Sequence, residues 1–239
     1  MGRTTSIGFH PTDADIFYVG TAIGGVWKTM DGGQSYTPLG DDLPFMAVSS
    51  VIVQANQPNN LYIAVSDHVW YGPPGIGVYR STDGGENWTP TALSFDFADN
   101  VRTYWMEADP NNPSKMFVAT SDGLYRTDDE FSTIVKVNNI NSFDVKIHPS
   151  NSNIVYQGAR NGEFYRSTDG GLNFNLITDF GGGDVYIMTS PINTSRVYVR
   201  NESTLHKSTN SGQTFPNTST LSTSSGLFVL GQRMQDATT

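Results

Sequence analysis

The sequence predicts an all-β protein, a β-propeller of four-stranded antiparallel blades, on three observations. A short phrase returns five times: TMDGGQSY from Thr29, STDGGENW from Ser81, TDDEFSTI from Thr127, STDGGLNF from Ser167 and STNSGQTF from Ser208. Its equivalent residues Asp31, Asp83, Asp129, Asp169 and Asn210 stand 52, 46, 40 and 41 residues apart, the period of a propeller blade. A second marker keeps the same beat, because Pro11, Pro58, Pro110, Pro149 and Pro191 each precede an apolar run, at steps of 47, 52, 39 and 42. Composition agrees: 24 glycines and 12 prolines in 239 residues, with 15% charged, describe many short elements joined by tight turns.

Each repeat supplies four strand-like runs. They are clearest in the first, at residues 6–9, 16–20, 25–29 and 35–39, where apolar and β-branched residues alternate with turn formers. The first hairpin loop of a blade is the stretch HPTDAD at residues 10–15, DPNNPS at 109–114 or HPSNSN at 148–153, each dense in residues that initiate turns. The predicted blades occupy residues 3–40, 47–93, 101–138, 142–180 and 184–220. Residues 226–239 open with an apolar run that matches the first strand of a sixth blade, so the chain is expected to be part of a larger propeller. A closed five-blade ring with a tail is the rival arrangement.

The octet has a mechanical reading that needs no ligand. The hydroxyls of Thr29, Ser81, Ser167 and Ser208, with the side chains of Asp31, Asp83, Asp169 and Asn210, bond turn backbone groups. Gly33, Gly85, Gly171 and Gly212 supply positive φ, and Tyr36, Trp88, Phe174 and Phe215 are placed on the following strand to pack between blades. The third copy carries Glu130-Phe131 where three others have a glycine pair, and a differently built turn is expected there.

Bulk chemistry excludes several functions. A net charge of −9 without a run of Lys or Arg disfavours nucleic acid and anionic membrane surfaces, which need a basic footprint. With no cysteine there is no disulfide, thiolate nucleophile or Cys-held zinc. No run of about 18 apolar residues offers a bilayer span, and no signal peptide opens the chain, so any export signal is expected upstream.

The octets resemble the Asp-box, or BNR repeat, of sialidases, xyloglucan-active endoglucanases, sortilin-type receptors and photosystem assembly factors. All are β-propellers, and the likeness covers nearly the whole chain while saying little about activity. The opening run GFHPTDADIFYVGTAIGGVWKTMDGG is most similar to exported multidomain proteins of Bacteroidetes-like bacteria, and more distantly to xyloglucanase propellers. The likeness implies a secreted or cell-surface bacterial protein whose propeller is one module among others. In the xyloglucanases it implies a catalytic Asp where this chain has Ala22, and a glycosidase acid–base pair needs both carboxylates. The sialidase pattern departs as well, because its Arg-Ile-Pro segment is absent and Arg126 and Arg166 fill a repeated slot before the octet.

Antiparallel connectivity places the first hairpin and the octet turn on one face, and the second hairpin with the inter-blade link on the other. Ligand binding is expected on the second face. Its most unusual element is SDHVWYGPPGIG at residues 66–77, a long loop in a short-loop fold. It carries Asp67, His68, Trp70 and Tyr71, a carboxylate beside aromatics that suits a sugar ring or a peptide, or else aromatics that plug the propeller. Arg102, Tyr104, Arg160 and Glu163 are the other ligand-binding candidates. The links add Asp41, Asp42, Asp96 and Asp99, a weak indication of Ca²⁺ without EF-hand spacing. No metal, cofactor or catalytic residue is assigned, and Asn87, Asn193, Asn201 and Asn217 lie in glycosylation sequons.

The expected function is a non-catalytic binding or scaffold propeller that recognises a glycan or protein and joins further blades or domains of a longer polypeptide. The alternative is a fragment of a xyloglucanase- or sialidase-like glycoside hydrolase whose remaining catalytic residues lie outside this chain.

Overall fold

The computed structural model describes residues 3–67 and 74–221. It is all-β, five four-stranded antiparallel sheets that are the blades of a β-propeller, with a single turn of 3-10 helix at Phe97–Asp99. Blade 1 is β1 (Thr4–Phe9), β2 (Phe17–Thr21), β3 (Val26–Thr29) and β4 (Thr37–Leu39). Blade 2 is β5 (Val48–Val53), β6 (Leu61–Val65), β7 (Gly77–Ser81) and β8 (Thr89–Ser94). Blade 3 is β9 (Thr103–Asp109), β10 (Asn112–Thr120), β11 (Gly123–Thr127) and β12 (Val135–Asn138). Blade 4 is β13 (Ser142–Ile147), β14 (Val155–Ala159), β15 (Glu163–Ser167) and β16 (Asn175–Asp179). Blade 5 is β17 (Val185–Thr189), β18 (Val197–Asn201), β19 (Thr204–Ser208) and β20 (Asn217–Thr220). Each sheet is a simple meander in chain order. The chain divides into two compact units, Met1–Val145 and Lys146–Thr239. The expected strand at 226–230 lies outside the described residues, as do His68, Trp70 and Tyr71.

The core sits between successive blades, as the period-2 alternation of strands requires. In the first unit Tyr18 and Val26 of blade 1 pack with Val51, Leu61 and Ile63 of blade 2, and Tyr62, Ala64 and Val78 of blade 2 pack with Met106, Met116 and Val118 of blade 3. In the second unit Tyr156 and Phe164 of blade 4 pack with Val185, Ile187 and Val199 of blade 5. In blades 2, 3 and 5 the first strand thus meets the blade before it. Register identifies the equivalent residue, since Ile7 pairs with Val19, Val51 with Ile63, Met106 with Val118 and Ile187 with Val199. Val51, Met106 and Ile187 are buried, whereas Ile7 is 47% exposed and its neighbour Phe9 62% exposed. Among the described residues, Ile7 and Phe9 of blade 1 are thus exposed, where the positions equivalent to Ile7 in blades 2, 3 and 5 are buried.

All five octet turns are built alike. The first hydroxyl, on Thr29, Ser81, Thr127, Ser167 or Ser208, is buried and donates to the side-chain oxygen two residues on at 2.7–2.9 Å. The same hydroxyl accepts the N–H four residues on, from Gly33, Gly85, Phe131, Gly171 or Gly212, at 2.9–3.0 Å. The Asp or Asn oxygen then accepts the N–H of Ser35, Asn87, Thr133, Asn173 or Thr214. Each turn also donates one N–H to the first hairpin loop: Gly32 to Asp15, Gly84 to Asn59, Glu130 to Ser114, Gly170 to Asn153 and Ser211 to Ser195. That recurrent bond puts octet and first hairpin on one face, as expected. Two corrections follow. The third turn is not built differently, because Glu130 and Phe131 adopt φ of 60° and 64° in place of the glycine pair. The closing aromatics stand just before the fourth strands, since β4, β8 and β16 begin at Thr37, Thr89 and Asn175, and the chain is still leaving the turn at Tyr36, Trp88 and Phe174.

These bonds hold the carboxylates ionised. The Ser35 hydroxyl lowers Asp31 to about 2 from an ordinary 3.8, and the Asn87 N–H lowers Asp83 to about 2. The Asn173 N–H pushes Asp169 down as well. A folded-state value below the unfolded one stabilises the fold above pH 3.8 and ceases to do so as pH falls through about 2. The thermal midpoint is therefore expected to drop between pH 4 and pH 2, and changing Asp31, Asp83 and Asp169 together to Asn is expected to flatten the drop. Asn210 shows that the amide builds the turn. An unchanged slope in calorimetry of the triple variant would contradict this role.

Candidate functional site

The face opposite the octets is laced by backbone bonds between second hairpins and links. In blade 1 the Thr21 hydroxyl donates to the Gly25 carbonyl and accepts the Gly24 N–H, both at 2.9 Å. Ala22 donates its N–H to the Arg3 carbonyl at 2.9 Å and is buried, and Gly25 donates to Met46 of the following link at 2.7 Å. The guanidinium of Arg3 in turn donates to Asp67 Oδ1 at 2.8 Å. The loop position that the xyloglucanase likeness assigns to a carboxylate is thus filled by a packed methyl group, and the neighbouring carboxylate is paired with an arginine.

Asp67, buried at 5% exposure, belongs to a hairpin held against the start of blade 3. The Ser66 hydroxyl accepts the Thr103 N–H at 3.1 Å, and Gly75 donates to the Val101 carbonyl at 2.7 Å. The structure therefore brings the Asp67 hairpin beside Arg102, whose guanidinium donates to Asn100 Oδ1 at 3.3 Å. Tyr104 does not join them at the surface. It is 5% exposed and packs its ring on Phe143 with centroids 5.3 Å apart, at the point where the register of β9 against β10 shifts.

The second unit holds the other two candidates, and their charged groups serve different partners. Arg160 grips Asp184 with Nε to Oδ1 at 2.8 Å and Nη2 to Oδ2 at 3.4 Å. Glu163 accepts from Asn161 Nδ2 at 2.7 Å and from the Tyr165 hydroxyl at 2.6 Å. Burial, then the Glu163 carboxylate, push that tyrosine up to about 12. Among the described residues no three His, Asp or Glu side chains converge on a metal position.

Sequence reasoning missed Arg3, which lies 64 residues from its partner Asp67. It also missed a groove in the first unit. An open cavity of about 440 Å³ is lined by Ile76, Tyr79, Ser94, Phe95, Asp96, Phe97 and Asp99, and by Pro44 from the preceding link. The signal was the link SFDFADN at residues 94–100, where aromatics alternate with carboxylates. Gly77, at φ 106°, permits the groove: a Cβ there would stand 2.1 Å from the Leu93 carbonyl oxygen, so only glycine lets β8 run this close to β7. Phe95 is held by its N–H to the Ile76 carbonyl and by an edge contact to Tyr125, centroids 5.7 Å apart. Asp99 accepts the Asp96 N–H at 2.9 Å, which fixes the helical turn, and Phe97 on that turn is 57% exposed.

No family model matches the chain. The xyloglucanase Xgh74A of Acetivibrio thermocellus is 26% identical over 215 residues, covering 74% of this chain and 26% of that enzyme. A xyloglucanase of Hypocrea jecorina is 26% identical over 194 residues, covering 78% and 19%. Among solved structures, the GH74 enzyme of Niastella koreensis aligns with a TM-score of 0.71 at 19% identity, over 89% of this chain and 37% of that one. An ancestral GH74 enzyme aligns at 0.65 and 18%, over 92% and 31%. These structures share the propeller fold. The chain spans about a quarter of the length of the xyloglucanase of A. thermocellus.

Proposed function

We propose that the chain is an Asp-box propeller module of the glycoside hydrolase kind, carried by an exported bacterial protein, which binds a xyloglucan-like glycan on its loop face without cleaving it. The relatives are named xyloglucanases, and that supports the glycan class. The observation that carries the non-catalytic part is Ala22. A glycosidase needs two carboxyl groups flanking the scissile bond, one to protonate the leaving oxygen and one to act on water or the anomeric carbon. A buried methyl group at position 22 does neither, and Asp67 is neutralised by Arg3. The exposed Ile7 and Phe9 of blade 1 support the further reading that other blades of a longer polypeptide continue this module.

A second reading has its own support. The matched xyloglucanases are about four to five times as long as their matched part, so this chain fits a piece of a hydrolase whose acid and base both lie elsewhere. The test is xyloglucan incubated with the 239-residue chain and scored for reducing ends, beside migration in a xyloglucan-containing native gel. Retarded migration without new reducing ends is expected, and Trp70→Ala in the same gel tests whether the long loop takes part. Reducing ends above the blank would overturn the non-catalytic reading. Hydrolysis only by a longer polypeptide that contains the chain would favour the second.

A further inference from the structure

We propose that the groove between blade 2 and the link that follows it, centred on Phe97, is a subsite for a neutral pyranose unit. This deepens the glycan-binding reading and rests on it. A volume near 440 Å³ admits one or two sugar rings, within the usual span of ligand sites and far too small for a folded partner. Sugar rings present an apolar C–H face and a polar hydroxyl rim, and the groove offers both complements. Phe97 gives an exposed apolar ring at 57% exposure, on a turn closed by Asp96 and Asp99. Tyr79 and Phe95 add aromatic lining anchored in the cores on either side, and Ser94, Asp96 and Asp99 supply hydroxyl and carboxylate partners for sugar hydroxyls.

Charge then selects the ligand. Among the described residues no Lys, Arg or His lines the groove, two carboxylates do, and the chain carries −9 overall. A sialic or uronic acid would be repelled, whereas a neutral glycan loses nothing by approaching acceptors that its hydroxyls can bond. The rigidity of the turn matters as much as its chemistry. The αL residue Asn100, at φ 54°, donates its N–H to the Phe97 carbonyl and ends the helix there, so the Phe97 ring is presented on a preformed platform and binding orders little chain.

The experiment is calorimetric titration of the full chain with a xyloglucan oligosaccharide and, separately, an oligogalacturonate. The wild type is expected to bind the neutral sugar and not the acidic one. Phe97→Ala should weaken binding about tenfold, the size of one lost aromatic contact, and Asp96→Asn with Asp99→Asn by several-fold. Phe97 is exposed, so the variant should keep the wild-type melting curve. A Phe97→Ala protein that binds as the wild type overturns the groove and leaves the module reading standing. A wild type that binds no neutral glycan overturns both, and a preference for the acidic sugar overturns the charge argument on which the subsite depends.

Discussion

Val51→Asp is expected to leave the first unit without a cooperative melting transition, while Ile7→Asp, at the equivalent position of blade 1, is expected to shift its midpoint by only a few degrees. The two residues hold the same register, each opposite the third residue of the neighbouring strand, Val19 for Ile7 and Ile63 for Val51. They differ in what covers them. Val51 is 7% exposed and packs with Tyr18 and Val26 of blade 1, so a carboxylate there is stripped of water with no cation beside it in that cluster. An uncompensated buried charge costs more than about 3 kcal/mol, a large part of the roughly 5–15 kcal/mol that holds a domain folded. Ile7 is 47% exposed, and a carboxylate there stays solvated, for about 0.5 kcal/mol or less. Differential scanning calorimetry of the two variants checks this. Equal destabilisation would mean that the blade 1 face is covered in solution, by a second copy or by chain beyond the described residues.

The second large effect is expected at Glu130. Its carboxylate accepts four bonds: Gln54 Nε2 at 2.7 Å and Ser114 Oγ at 3.1 Å on one oxygen, Tyr62 OH and Arg80 Nη2, both at 3.1 Å, on the other. Three of those donors belong to blade 2, so a residue in the octet turn of blade 3 clasps the neighbouring blade. Burial first, with the Glu130 hydrogen bond and charge, raises the Tyr62 hydroxyl far above its ordinary value. Glu130→Ala leaves Arg80 and Tyr62 without that acceptor and is expected to cost about 3 kcal/mol. Glu130→Gly loses the same bonds but relieves a side chain from φ 60°, and is expected to be about 1 kcal/mol less damaging than Ala. Urea titration of both variants separates the two contributions. If Ala and Gly were equally harmless, the clasp would have no energetic role.

The fold was legible because each octet is a closed local circuit. Hydroxyl, carboxylate and turn N–H groups lie within six residues of one another, so the sequence repeat and the hydrogen-bond repeat coincide. What escaped was whatever depends on residues distant in the chain. The third turn looked irregular because left-handed backbone was equated with glycine, yet Glu130 adopts it where bonds to blade 2 compensate. Asp67 was visible as an unusual loop carboxylate, but Arg3, which occupies it, is a blade away. Tyr104 reads as a surface candidate because its link is polar, although it is the second residue of β9 and a register shift there leaves it buried against Phe143. The acidic residues of the Phe97 groove were noticed in the link, and its aromatics were not, because only folding sets Tyr79 of β7 beside them.

The most direct test of the functional account is one titration of xyloglucan oligosaccharide into the full chain, with reducing ends counted in the same cell afterwards. Saturable heat with no new reducing ends is the predicted result. Turnover of the oligosaccharide, or the absence of any binding heat, would contradict it.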